Sequence, residues 1–364
     1  MEFERFFDNI KKCAEERIEL EDYCKHLLLI SQLKKPCFIP EVRKKYNAGE
    51  LVLVLGAGVS ISCGLPDWNK LLQILLANTF EKDQTIATLY ANIFDSIFNL
   101  NNLVIGRFLD DYFKDKDFES EVRKSLYANF KNGRNDLVDG IADFCIERKD
   151  SPKLDSIITY NFDDILEDVI NTKLNHIRFQ SIYKDYKSQL HNELFIYHVH
   201  GYLPRNDSLT DLNKITFSEN SYHRQYLDIY SWQNITQINK FRDKTCLFIG
   251  SSLTDPNLRR LLDISNYQRD KAKFHYIIKQ RHNYNSVKQN LETYFTNPSS
   301  NQMNKLIARL NEAESIRFLC EAIERFEESD ALSFNIKTIW VDDHTEITSI
   351  LKKIQNTLVN PKTK

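Results

Sequence analysis

Four short segments concentrate the residues whose types and spacing can do chemistry. In the first, the apolar run Leu51 to Leu55 opens into Gly56-Ala57-Gly58-Val59-Ser60, and Gly64-Leu65-Pro66-Asp67-Trp68 follows. A buried strand ending in such a turn, with a helix N-terminus behind it, offers backbone amides to a phosphate, and Gly56 and Gly58 let the backbone come close. The spacing is not Gly-x-Gly-x-x-Gly, and no Gly-Lys-Ser or Gly-Lys-Thr follows, so it is not a P-loop. A tight strand-to-helix turn without any ligand would be spelled the same way.

The second segment, Ile157-Ile158-Thr159-Tyr160-Asn161-Phe162-Asp163-Asp164, leaves the carboxyl end of another apolar run, where open α/β sheets place their ligands. Asn161 and Asp163 can bond ribose hydroxyls, while Asp163 or Asp164 can equally cap a helix that follows. The third is Tyr197-His198-Val199-His200-Gly201. Strand alternation puts His198 and His200 on one side, with His200 at the exit. An imidazole there can take a proton near neutral pH, although a histidine satisfied by a core hydrogen bond is the blander alternative. The fourth, Gly250-Ser251-Ser252-Leu253-Thr254-Asp255-Pro256, sets glycine and hydroxyls after a strand and then Asp-Pro to open a helix, a second turn suited to anions. Arg259 and Arg260 beyond it read as a solvated or paired helix face.

These segments must be held by alternating strands and helices. Apolar runs recur at 51–55, 156–160, 194–199, 245–249, 274–278 and 336–341, with helical spacing at 68–80, about 85–147, 163–173, 257–268, about 301–328 and 346–358. Strand-helix alternation implies parallel crossovers covered on both faces. The expected fold is therefore α/β, a Rossmann-like doubly wound parallel sheet, with a helical insertion over about 85–147 after the first strand. An amphipathic N-terminal helical extension over residues 1–45 suits packing or assembly, ahead of a catalytic domain over 46–364. Glycine is scarce: nine in 364 residues, where average usage of about 7% would give about 25, and five of the nine fall in the segments above. A chain so sparing of glycine spends it where backbone bends sharply or approaches something closely.

Composition narrows the partners. Lys plus Arg total 49 against 51 Asp plus Glu, so no charge excess signals nucleic acid or an anionic membrane. No apolar run approaches the roughly 18 residues of a bilayer span, and the acidic start is unlike a secretory signal, which reads as a cytoplasmic protein. Seven cysteines without a Cys-x-x-Cys pair lack the spacing of a zinc ribbon or a dithiol redox motif.

Taken in order, GAGVS with GLPDW, TYNFDD, HVHG and GSSLTDPN resemble the NAD-binding core of the sirtuin superfamily, particularly the sirtuin-like domains of bacterial anti-phage defence systems, over roughly residues 48–358. The resemblance implies NAD as substrate, with Asn161 and His200 matching the catalytic asparagine and histidine and Asp163 supporting them. By the same matching, Gly56, Ala57, Gly58 and Ser60 approach the phosphates, and Pro66, Asp67 and Trp68 the nicotinamide side. Thr159 and Gly201 belong to the same binding motifs, and Gly250, Ser251 and Ser252 fall on the adenosine half. Asp343 and His344 lie near the adenine, or simply cap the last helix.

Departures from the family bear on the reaction. The four-cysteine zinc module of deacylating sirtuins is absent, so no zinc is expected. Thr254-Asp255-Pro256 stands where deacylases pair with a substrate peptide, and proline removes a donor that such pairing uses. Asn69 replaces the arginine of the deacylase Gly-Ile-Pro-Asp-Phe-Arg pattern.

The expected reaction is NAD hydrolysis to nicotinamide and ADP-ribose, as the effector of an abortive-infection system. Nicotinamide departs as a neutral molecule and requires no general acid, in contrast to glycosidases with their two carboxylates. Asn161 would orient the ribose or the water, and His200 would act as base. NAD-dependent protein deacylation and a non-catalytic nucleotide-sensing or assembly module are the alternatives. Family habit further implies a homo-oligomer and a partner chain such as a HerA-like ATPase or an Argonaute-type protein.

Overall fold

A computed structural model of the chain describes residues 37–81, 83, 86, 89–90, 93, 102–113, 117–130, 135–145, 154–173, 178–185, 193–270, 272–295 and 312–355. Of the extension expected over 1–45, residues 1–36 lie outside the described residues, as does part of the insertion expected over 85–147.

From its start the described chain runs α1 (Ile39–Asn47), β1 (Leu51–Leu55), α2 (Ala57–Ile61), α3 (Trp68–Asn78), α4 (Asn102–Tyr112), α5 (Phe118–Tyr127), α6 (Asp136–Cys145) and β2 (Leu154–Thr159). Then come α7 (Ile165–Lys173), β3 (Phe179–Ile182), β4 (Leu194–His198), α8 (Glu219–Leu227), α9 (Trp232–Asp243), β5 (Thr245–Ile249), α10 (Pro256–Asn266) and β6 (His275–Gln280). The remainder is α11 (Tyr284–Phe295), α12 (Glu312–Ser333), β7 (Ile336–Val341) and α13 (Thr345–Gln355).

Two compact units divide this chain. The larger contains residues 39–278 and 344 onward. Its strands run in the order β3-β4-β2-β1-β5-β6, and every pairing is parallel. All five residues of β1 and of β5 are buried, the outcome of continuous apolar runs covered on both faces. Helices gather in two groups: α13 packs on α1 and α6, and α6 on α7, whereas α9 and α8 pack on α10, and α4 and α5 on α3. The architecture is the expected doubly wound α/β sheet.

Strand order reverses between β1 and β5, because the chain from β1 builds outward through β2 and β4 before returning to the other flank. Ligand crevices of open α/β sheets form at such a switch, beyond the carboxyl ends of the strands. Register brings those ends level: Leu55 lies beside Thr159 and Ile249, and Thr159 beside His198. All four chemically suggestive segments therefore leave the sheet at one edge.

The smaller unit includes residues 279–343. Within it α12 supplies Glu324, Glu327 and Glu328, which meet Arg281 at 2.6 Å, Lys279 at 2.8 Å and the Trp340 indole N–H at 2.6 Å.

Candidate active site

The glycine turn after β1 is shaped by the loop after β5. Gly56 N donates to Ile249 O at 3.0 Å and Gly58 N to Gly250 O at 2.9 Å. A Cβ on Gly56 would sit 2.5 Å from Gly250 O, and one on Gly58 would sit 2.8 Å from Gly250 Cα. Gly250 itself has φ +67°, and its added Cβ would stand 2.6 Å from Val59 N. The close approach that these glycines permit is thus backbone against backbone across the switch point, and it consumes two of the turn's amides. Ala57, exposed between them, takes no part in it.

Beside this turn, three side chains form a relay. The Asn161 amide donates to Gly56 O at 3.0 Å and to Ser60 Oγ at 2.9 Å. Ser60 in turn donates to Asp163 Oδ2 at 2.6 Å. Asp163 Oδ1 accepts from Ile165 N at 3.2 Å, so the aspartate opens α7 with one oxygen and serves the relay with the other. Burial raises the Asp163 carboxyl from the ordinary range to about 6, against the Ser60 and Ile165 bonds that favour its charged form. Thr159 Oγ1 accepts from Asn161 N at 3.1 Å, fixing the backbone from which the amide projects. Asp164 stands outside the relay, its carboxylate holding Tyr127 Oη at 2.9 Å and Arg205 N at 2.8 Å.

His198 and His200 part company, contrary to simple alternation. β4 stops at His198, and Val199 and His200 already lie in a turn, so period-two geometry no longer applies. His198 faces Glu167, with Nε2 to Oε1 at 2.6 Å, and its Nδ1 lies 3.3 Å from Asn161 O. His200 is buried against Tyr160 and Tyr222, edge-on to both rings at 4.7 and 5.7 Å. Its Nε2 has no hydrogen-bond partner and stands 3.8 Å from Asp255 Oδ2. Burial lowers the proton affinity of His200, and the Asp255 carboxylate partly restores it. No hydrogen bond joins His200 to Asn161. Gly201, φ +108°, turns the chain where a side chain would run into Lys214 O.

The other expected contacts spread along the same edge. Asp67 caps α3 through Lys70 N at 2.8 Å, and Trp68 packs edge-on against Phe217 at 4.6 Å. Pro66 is half-buried before them; Ser251 is half-buried and Ser252 exposed. Asp343 and His344 are both exposed, at a point where the chain passes from one unit to the other. Behind Asn161, a cavity of about 20 Å³ is lined by Ser60, Thr159, Asp163 and His198 among others. That is room for one water and not for a dinucleotide.

Sequence reasoning passed over Tyr222, Asp255 as a neighbour of His200, and the Glu167–His198 pair. Only Asp255 carried a signal, the Asp-Pro that opens α10, and even that pointed to helix capping.

Residues 155–299 match the SIR2-like domain family. The chain is sirtuin-like across that span. The match starts at the second strand, leaving β1 and its glycine turn ahead of it. The chain is also 25% identical over 334 residues to the NAD(+) hydrolase ThsA of Enterococcus faecium, a match covering 89% of this chain and 59% of that relative. Among the described residues no group of three or more His, Cys, Asp or Glu side chains is placed to hold a metal ion, and no helix is long and apolar enough to cross a membrane.

Proposed function

We propose that this chain hydrolyses NAD at the bond between nicotinamide and ribose, giving nicotinamide and ADP-ribose. Residues 46–364 are read as the catalytic domain and residues 1–45 as an extension for packing or assembly, whose last stretch, in α1, packs on α13 within the larger unit. The observation that carries the reading is the Asn161–Ser60–Asp163 relay at the switch-point edge, with the unpartnered His200 imidazole held in the next loop. The relative named an NAD(+) hydrolase supports the same substrate.

The chemistry asks for little covalent help. The C1′–N bond breaks with its electron pair going to the pyridine nitrogen, a water oxygen bonds to C1′, and the water proton passes to a base and then to solvent. The enzyme must stabilise a ribose with oxocarbenium character and admit one water. An amide locked by two acceptors, as Asn161 is, presents its remaining oxygen in a fixed direction for a ribose hydroxyl or that water. His200 is the base, Gly56 to Ser60 and Gly250 to Ser252 flank the pyrophosphate and adenosine, and Pro66 to Trp68 the nicotinamide.

Peptide deacylation fits less well. Pro256 is the first residue of α10, capped by Asp255 through Leu258 N at 2.7 Å, so the segment that would pair with a peptide strand runs directly into a helix cap. A role as effector of an anti-phage abortive-infection system, acting as a cytoplasmic homo-oligomer with a partner ATPase or Argonaute-type chain, completes the proposal.

The test is nicotinamide release from NAD by the purified full chain, alone and with the product of its genomic neighbour, without any peptide. Release by the wild type and a loss of roughly 100-fold or more in Asn161→Ala are expected. Undiminished turnover in that variant, or release only with an acyl-lysine peptide, would overturn the reading.

A further inference from the structure

The loop after β5 brings a carboxylate to His200 from a distant part of the chain. Asp255 uses Oδ1 to cap α10, accepting from Leu258 N at 2.7 Å, and Oδ2 to accept from Tyr222 Oη at 2.7 Å. That second oxygen is also the one 3.8 Å from His200 Nε2. Three elements therefore converge on the imidazole: Tyr160 from the end of β2, Tyr222 from α8 and Asp255 from the start of α10. Among the described residues these are the titratable groups set around the ring. Two of them are phenols, and Asp255 is the carboxylate.

From this geometry we infer that Asp255 is the positioning residue of His200: it holds a negative charge beside the ring, on a carboxylate that α10 keeps in place through the cap and whose Oδ2 also accepts from Tyr222. The inference rests on the proposed reaction for its purpose, but the coupling is a property of the free protein. When His200 accepts a proton from water or a ribose hydroxyl, an imidazolium is created in a buried place. An unpaired buried cation is costly, and a carboxylate at 3.8 Å offsets that cost. The gap exceeds a direct hydrogen bond, which leaves His200 free to receive a proton. The placement is stiff, because one end of the carboxylate is tied to a helix whose first residue is proline.

The geometry also makes opposite predictions for two substitutions. Asp255→Asn keeps an oxygen for the cap and removes the charge, placing an NH2 group, which the Tyr222 hydroxyl oxygen can accept from, where Oδ2 stood. Tyr222→Phe keeps the charge and removes the donor that draws on it. The experiment is an NMR titration of the His200 imidazole in the full-length protein without NAD, assigned by loss of its signals in His200→Gln, together with the pH profile of nicotinamide release.

The expected result is a titration midpoint that falls by about one unit in Asp255→Asn, a tenfold change in proton affinity, and rises in Tyr222→Phe. Nicotinamide release should show the same ordering, its acid limb moving to lower pH in Asp255→Asn with a reduced plateau. Unshifted midpoints in both folded variants would overturn the inference even if NAD is cleaved. If Asp255→Asn does not fold, an unshifted midpoint in Tyr222→Phe overturns it. Midpoints that shift as stated, in a protein that never releases nicotinamide, would uphold the coupling and reject the reaction instead.

Discussion

Ser60 and Asp163, 103 positions apart in the chain, share a 2.6 Å hydrogen bond that ties the turn after β1 to the loop after β2. Because the same hydroxyl accepts from Asn161, one serine fixes both the orientation of the amide and one oxygen of a buried carboxylate.

Removing that hydroxyl should therefore be felt twice. Ser60→Ala leaves Asp163 with the Ile165 amide as its remaining donor and Asn161 with Gly56 O as its remaining acceptor. Leaving a buried polar group short of a partner costs about 1–3 kcal/mol, so denaturant unfolding should show a loss in that range. Nicotinamide release should drop by roughly tenfold or more as the amide loses its fixed direction. A variant as stable and as active as the wild type would show that the relay is incidental.

Asp163 should also leave a mark on stability as pH changes. Its carboxyl is raised to about 6 in the folded chain by burial, so the folded state holds the proton more tightly than the unfolded state does. The sign follows: its contribution is fully present below the unfolded value of about 4 and is lost as pH rises through about 6, a swing of about 3 kcal/mol. Unfolding free energies of the wild type and Asp163→Asn, measured between pH 4 and 7, should differ by an amount that moves against the wild type as pH rises. A difference independent of pH would contradict the buried-carboxyl account.

Gly250 sets the tightness of the switch point. Alanine there would carry its Cβ to 2.6 Å from Val59 N at φ +67°, a left-handed conformation that costs a residue with a side chain about 1–2 kcal/mol before any clash is counted. Gly250→Ala should lower stability by roughly 2 kcal/mol or more and weaken NAD binding as the two turns are pushed apart, measurable by thermal melting and calorimetric titration. Ser252→Ala, exposed two residues later, should stay within about 0.5 kcal/mol of wild type. Equal effects of the two substitutions would refute the backbone-on-backbone approach.

What could be read from residue order alone was whatever depends on near neighbours. The buried strands announced themselves as continuous apolar runs, and the loops that leave them as glycine, amide, imidazole and hydroxyl clusters, because burial on both faces demands one and sharp turns demand the other. β3 escaped notice for the same reason: Phe179 to Ile182 is short and only its last residue is buried, so no run or alternation marks it. The divergence of His198 and His200 hung on the strand stopping one residue earlier than its apolar pattern. Which loops meet was decided in three dimensions. Strand order sets β5 beside β1, and only that adjacency packs Gly250 on Gly56 and Gly58. The partners Ser60 with Asp163 and His200 with Asp255 are 103 and 55 positions apart, farther than any helical or strand period reaches, so their pairing is a product of the folded sheet.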